Sequence, residues 1–255
     1  MTGSWLTGDV DYDGRIAAVY EAARDLRPEA EQAWLDAVGG EVRAGDLVVD
    51  VGAGTGRFAR RFSSELQARV VAVEPAEGMR TNRGRAVGAP VSWIAGSAEA
   101  LPLRSRTVDV AWASYVLHYT DLRVAGGELA RVLQVGGSVL VWSSFPDRFA
   151  DVEWMRWFPS AVKIDAARLP SVERVQDAWK EWGLQLRRRQ VVPIQTAANL
   201  TELAERIGRR GISTLELIPD AEFEAGLTAM RRHAASADET PVFTPVDLLV
   251  FRLSR

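Results

Sequence analysis

The amino-acid sequence predicts an α/β protein built on a doubly wound, mostly parallel sheet of seven strands. Three observations carry that prediction. From Arg43 to about Trp142, short apolar runs alternate with stretches of helical spacing, the pattern of successive β-α-β units. The runs "LVVDV", "ARVVAVE", "VSWIAG", "VDVAWAS" and "SVLVW" are too short for ordinary helices and apolar enough for buried strands. With 255 residues, 47% of them apolar, the chain has ample material for a sizeable core.

Taken in order, residues 13 to 39 read as helical, "DGRIAAVYEAARDL" and then "PEAEQAWLDAVGG", stopped by Gly39 and Gly40. They are expected to cover one end of the sheet, as part of a helical N-terminal cover over residues 1–43. Within the core, residues 44–145, "RFARRFSSEL" and "GGELARVLQ" have helical spacing, and "VGG" at 135–137 reads as a tight turn feeding the fifth strand. The crossovers should be right-handed. Residues 146–183 lose this regularity. "PDRFADVEWMRWFPSAVKI" is aromatic and broken by Pro146 and Pro159, and "SVERVQDAWKEWG" is a helix closed by Gly183, together an inserted helical lid. Residues 184–255 complete the sheet: "LQLRRRQVVPI" as a sixth strand, a helix opened by Asn199 with Glu202 at capping-box spacing, the helix "DAEFEAGLTAMRRHA", and "PVDLLVFRL" as the seventh strand. No internal repeat or low-complexity tract interrupts this order.

Composition excludes several classes. A formal net charge of −3 lacks the basic field of a nucleic-acid binder. The chain has no cysteine, and its two histidines, His118 and His233, are far apart, so no metal site is expected. No apolar run approaches the roughly 18 residues of a membrane span, and the start "MTGSWLTGDVDYDGR" has no secretory character. The expectation is a cytoplasmic monomer or homodimer with no membrane partner.

The stretch "DLVVDVGAGTGRFARRF", residues 46 to 62, is the most informative. Its strand is apolar yet carries Asp50, and a buried acid is costly unless something binds it. The loop that follows holds Gly52, Gly54 and Gly56, which let a ligand approach the main chain closely. "GTGRFA", from Gly54 to Ala59, even satisfies the dinucleotide pattern, so an NAD-dependent oxidoreductase is one reading. Asp50 opposes it, because a carboxylate there repels a pyrophosphate.

"VVDVGAGTGRFA" resembles the first motif of class I S-adenosylmethionine-dependent methyltransferases, whose ligand carries an ammonium, a sulfonium and no phosphate. The resemblance implies the Rossmann-like methyltransferase fold and S-adenosyl-L-methionine as cofactor. It implies that Asp50 orients the loop and the amino-acid end of the cofactor, with Gly52, Gly54 and Gly56 giving close passage. Glu74 ends the next strand 18 residues beyond Gly56, where an acid can accept both ribose hydroxyls, as in dinucleotide enzymes. In "EPAEGM" the resemblance adds Pro75 and Met79, the latter packing against adenine. "AGSAEALPLRSRTVDVAWASYVLHYTD" is similar to the family's segment running to the end of strand four, with matching "AEALPL" and Asp109. Ser97, followed by Ala98, departs from the acid that many members place there for the adenine amino group, and a serine accepts more weakly. Ser114, closing strand four, completes the implied cofactor set. The specific resemblance covers about residues 44 to 142.

Methyl transfer relies chiefly on positioning, so no signature base is compulsory. His118, just past strand four, is the candidate general base, or else shapes the pocket by hydrogen-bonding within its loop. Tyr115 and Tyr119 flank it, and Tyr20 resembles an aromatic that closes over the cofactor in related enzymes. Trp154, Trp157, Trp179 and Trp182 form two pairs at i, i+3 spacing, either a wall for a flat acceptor or lid core. "LRRRQ" at 186–190 reads as an exposed strand face. The sequence thus points to transfer of a methyl group to O, N or C of a small-molecule metabolite. The Asn/Asp-Pro-Pro-aromatic motif of base-modifying enzymes is missing, since strand four ends "WASY". Rival readings are a scaffold that binds the cofactor but catalyses a non-methylating reaction such as a cyclisation, and a binding module without activity.

Overall fold

The structure is a computed structural model that describes residues 27–82 and 90–254. The stretch 13–26, with Tyr20, lies outside the described residues. The seven strands are β1 (Leu47–Val51), β2 (Arg69–Val73), β3 (Val91–Ile94), β4 (Val108–Ser114), β5 (Leu133–Ser143), β6 (Leu184–Ala197) and β7 (Val242–Leu253). They form one sheet in the order β3-β2-β1-β4-β5-β7-β6. The first five are parallel, and β7 runs antiparallel to both neighbours, β5 and β6. Strand order reverses between β1 and β4, so a crevice opens there at the carboxyl ends.

Helices cover both faces. On one, α1 (Pro28–Val38) and α2 (Arg57–Ser64) press Trp34, Phe58 and Phe62 onto Trp112 and Trp142 of the sheet. The Trp34 and Trp112 rings meet edge to face at 5.9 Å, and Phe62 lies 5.2 Å from Trp112. Helix α1 starts well because Pro28 occupies a position needing no amide hydrogen and Glu29 and Glu31 face the positive helix end. Its Trp34 packs on the aromatic face, and its last turn reaches the edge strand β6, where Arg188 donates to Ala37 O.

On the other face lie α4 (Leu122–Val132) and α6 (Val172–Trp179). Asp121 caps α4, accepting from Arg123 N at 3.0 Å and Val124 N at 3.1 Å. Gly126 and Gly127 leave room for two indoles: a Cβ on Gly126 would meet Trp179 at 2.5 Å, and one on Gly127 would meet Trp182 at 3.2 Å. Trp179 Nε1 donates to Leu122 O, and Trp182 Nε1 to Arg123 O. These two tryptophans clamp α4, so of the two alternatives for the indoles it is packing, not a shared wall, that Trp179 and Trp182 serve.

Trp154 and Trp157 belong to a separate helical layer. Its 3-10 turns Pro146–Asp151 and Glu153–Trp157 and helix α5 (Pro159–Arg168) pack on α7 (Leu200–Gly208), α8 (Ser213–Leu217) and α9 (Asp220–Ala234). Pro146 and Pro159 open helical turns here instead of breaking them. The layer thus draws on segments before and after β6. The β6–β7 hairpin supports it: Ser143, the last residue of β5, pairs with Asp247, while Val242 pairs onward with Ala197 beyond that point. The layer stands at the carboxyl ends of the parallel strands.

Two local expectations resolve differently, and the Asn199 cap holds. The "VGG" turn is an exposed bulge inside β5, because β4 pairing jumps from Val108↔Leu133 to Val110↔Ser138, with Gly136 at φ +79°. Asn199 does cap α7 through Glu202 N at 2.9 Å, but Glu202 returns to Ala198 N at 2.7 Å and pairs with Arg27 at 2.9 Å. In "LRRRQ", Arg188 pairs with Glu41 at 3.0 Å and Arg189 binds both Asp247 and Asp147.

Candidate active site

Four loops converge at the carboxyl ends of β1, β2, β3 and β4. Gly52, Gly54 and Gly56 have φ of +67°, +58° and +80°, the left-handed region that side chains resist. The turn also needs their bare backbones. A Cβ on Gly52 would meet Val116, past β4, at 2.5 Å, and one on Gly56 would meet the Trp93 ring of β3 at 2.5 Å. Gly54 N donates to Glu74 Oε2 at 2.9 Å, tying this loop to the end of β2. Gly96 closes the set, since its Cβ would lie 3.1 Å from Val73.

Asp50 lies beneath the first loop on the aromatic face, paired in register with Ala72 and Trp112 and 2% exposed. Burial pushes its carboxyl up from 3.8 to about 7; a hydrogen bond from the Ala59 backbone opposes this, the charge of Glu74 adds to it, and Arg57 offsets part. The site is short of positive charge at this point.

Glu74 is also buried, and its oxygens accept from Gly54 N and Ala76 N at 2.9 Å each. These two backbone bonds fix the orientation of the side chain. Arg80 donates to Glu74 O and Pro75 O and holds this turn from below. Met79, in α3 (Glu77–Thr81), is buried. Ser97 bridges Ala100, and Ala98 is buried beside it.

Ser114 ends β4, and Tyr115 follows with φ +51° although it has a side chain. Such strain collects at functional sites. Its amide donates to Trp142 O at 3.0 Å and its hydroxyl lies 3.3 Å from Ser144 Oγ, so it is pinned to the end of β5. His118 and Tyr119 sit in the 3-10 turn Leu117–Tyr119 with ring centres 3.9 Å apart. Asp109 is elsewhere: its Oδ2 accepts from Leu47 N at 2.8 Å, joining β1 to β4 at their amino ends.

Sequence reasoning missed the groups that brace these loops. Glu99 accepts from Asp121 N at 2.9 Å, linking the loop after β3 to the His118 turn. Glu128 accepts from Leu101 N at 2.8 Å, and Arg131 donates to Leu101 O and Leu103 O, so α4 fixes "LPL". Arg168, in the last turn of α5, donates to Tyr119 Oη at 3.1 Å. Acid–arginine spacing on α4 was visible in sequence, but its long-range partners were not.

Among the described residues no cluster of side chains is suited to a metal ion, and no helix is long and apolar enough to cross a membrane.

Residues 49–141 match the family model described as "Methyltransferase domain". An uncharacterized methyltransferase of Mycobacterium tuberculosis is 33% identical over 144 residues, 56% of this chain and 55% of that one. The chain spans about half the length of the curated relatives it matches. Among solved structures, a putative methyltransferase from an antibiotic biosynthesis pathway of Anabaena variabilis superposes with a TM-score of 0.69 at 19% identity, covering 87% of this chain and 98% of that one. The geranyl diphosphate C-methyltransferase of Streptomyces coelicolor, solved with Mg2+, geranyl diphosphate and S-adenosyl-L-homocysteine, gives a TM-score of 0.53 at 17% identity, covering 88% and 79%. The motif stretch, the strand order with an antiparallel β7 and the family match agree: residues 49–141 form a methyltransferase domain, and the chain has the fold of these methyltransferases.

Proposed function

We propose that the protein transfers a methyl group from S-adenosylmethionine to an O, N or C atom of a small-molecule acceptor. The observation that carries this reading is Asp50: a fully buried carboxylate, forced toward neutrality by burial, under a loop of three left-handed glycines. Such a position favours a ligand that brings positive charge and penalises a pyrophosphate. The residues fit the cofactor. Gly52, Gly54 and Gly56 offer bare backbone, Glu74 offers a carboxylate for two hydroxyls, and Pro75, Met79, Ser97, Ala98 and Ser114 stand at or just after the carboxyl ends of β2, β3 and β4. When bound, the cofactor supplies an electrophilic methyl group on a sulfonium.

The chain's own part is to position and to manage a proton. Tyr115, pinned to Ser144, shapes the wall next to Ser114, and His118 receives the proton when the acceptor must lose one. Calorimetry with S-adenosylhomocysteine and with NADH tests the reading, together with Glu74→Gln. Micromolar binding of the adenosyl compound, weakened at least tenfold in the variant, supports it. Tighter binding of NADH overturns it. Incubation with S-adenosylmethionine and a panel of small acceptors, read as a gain of one methyl by mass, identifies the acceptor class.

A further inference from the structure

The helical layer places a largely buried cation beside the His118 turn, one that methyl transfer as proposed does not use. The Arg168 side chain is 15% exposed. Its Nη2 donates to Tyr119 Oη at 3.1 Å, and its guanidinium carbon stands 5.6 Å from the centre of the Tyr119 ring. Nη1 is buried and has no hydrogen-bond acceptor. Asp165 Oδ1 approaches it only to 4.0 Å and instead accepts from Thr214 Oγ1 at 2.7 Å. Arginine cannot shed its charge to relieve an unfilled donor, so the gap is a standing cost unless something fills it.

Location says what could fill it. Tyr119 packs on His118, so the open donor, at the C-terminal end of α5, lies two side chains from the candidate base. Of the basic side chains, arginine's planar fork is the one matched to an oxyanion. We infer that Arg168 holds a carboxylate or phosphate of the acceptor through Nη1, making the enzyme selective for anionic acceptors. This rests on the methyl-transfer reading. Because Nη1 is out of contact with solvent, the end of α5 moves off Tyr119 to admit the anion and then closes on it. Asp165 limits the attraction without cancelling it, since its nearer oxygen is already engaged by Thr214.

The test uses protein loaded with S-adenosylhomocysteine, titrated with matched probes: benzoate against benzamide, octanoate against octanamide, and phenyl phosphate against phenol. At least one anion should bind about 10- to 100-fold more tightly than its neutral counterpart, the range expected for a charge-assisted bond. The carboxylate and phosphate arms distinguish the two oxyanions. In Arg168→Gln the preference should fall below twofold, with S-adenosylhomocysteine affinity unchanged; Arg168→Lys should keep part of it. Equal binding of charged and neutral probes, or a preference that survives in Arg168→Gln, overturns the inference. A crystal structure with the tightest probe gives a reading independent of any variant: an oxyanion within hydrogen-bond distance of Nη1 supports it, and one bound elsewhere refutes it. Failure to bind S-adenosylhomocysteine at all would instead count against the methyl-transfer reading.

Discussion

Replacing Asp50 by asparagine separates the charge of this side chain from its shape. The folded carboxyl titrates at about 7 and the unfolded one near 3.8. Between those values the folded protein holds a proton that the unfolded chain has released, so stability is greatest below the lower value and falls as pH rises through the window. About three pH units at 1.36 kcal/mol each amount to about 4 kcal/mol, all of it lost above pH ~7. Asparagine is neutral throughout. Asp50→Asn should therefore abolish this slope and, at pH 8, exceed the wild type in stability by about 2 to 3 kcal/mol, after about 1 kcal/mol is subtracted for a weaker bond from the Ala59 amide. Ligand binding should show the converse. A cofactor that brings positive charge ionises Asp50 as it binds, so wild-type affinity for S-adenosylmethionine should climb up to about tenfold per unit below pH 7 and level off above it. The variant should bind weakly with no such rise. Urea denaturation at pH 5.5, 7 and 8, with calorimetry at the same values, measures both. Parallel stability curves for the two proteins, or equal affinity at pH 8, would refute the reasoning.

Other expectations follow from single contacts. His118→Ala should leave S-adenosylhomocysteine affinity within twofold and lower kcat by about 10² to 10⁴ for an acceptor that must be deprotonated; full activity on such an acceptor would remove His118 from the mechanism. Arg189→Leu leaves Asp247, fully buried and held by Arg189 Nε at 2.7 Å, without its cation. Urea denaturation should show a loss of about 3 kcal/mol, largely recovered when Asp247 is replaced by leucine as well. Gly56→Ala forces a Cβ into φ +80° and against Trp93, a cost of about 1–2 kcal/mol from the backbone alone. Adding Trp93→Ala should not restore cofactor affinity if the backbone conformation matters, and full restoration would assign the defect to the clash.

What the sequence revealed was local. Strand placement was legible because "LVVDV" and "VDVAWAS" are apolar at strand length, and the glycine loop because its three glycines have no reason to coincide except a left-handed turn. The positions of Glu74 and His118, just past β2 and in the turn after β4, were legible from strand placement. What stayed hidden depends on distant pairing. Trp179 and Trp182 have the same spacing as Trp154 and Trp157, yet Gly126 and Gly127 draw the first pair to α4 while the second joins α7 and α9 in another core. Nothing in the sequence singles out Arg168. Only the placement of α5 beside Tyr119 gives it meaning.

The insertion of β7 between β5 and β6 sets a timetable for synthesis. The outer edge of β5, with Val139 and Val141, is completed by a strand made only after the helical layer and β6 have left the ribosome. Roughly 100 residues at ~5–20 per second leave that edge unpaired for about 5–20 seconds, long enough for contact with other nascent chains. Dependence on chaperones during production is the expected consequence.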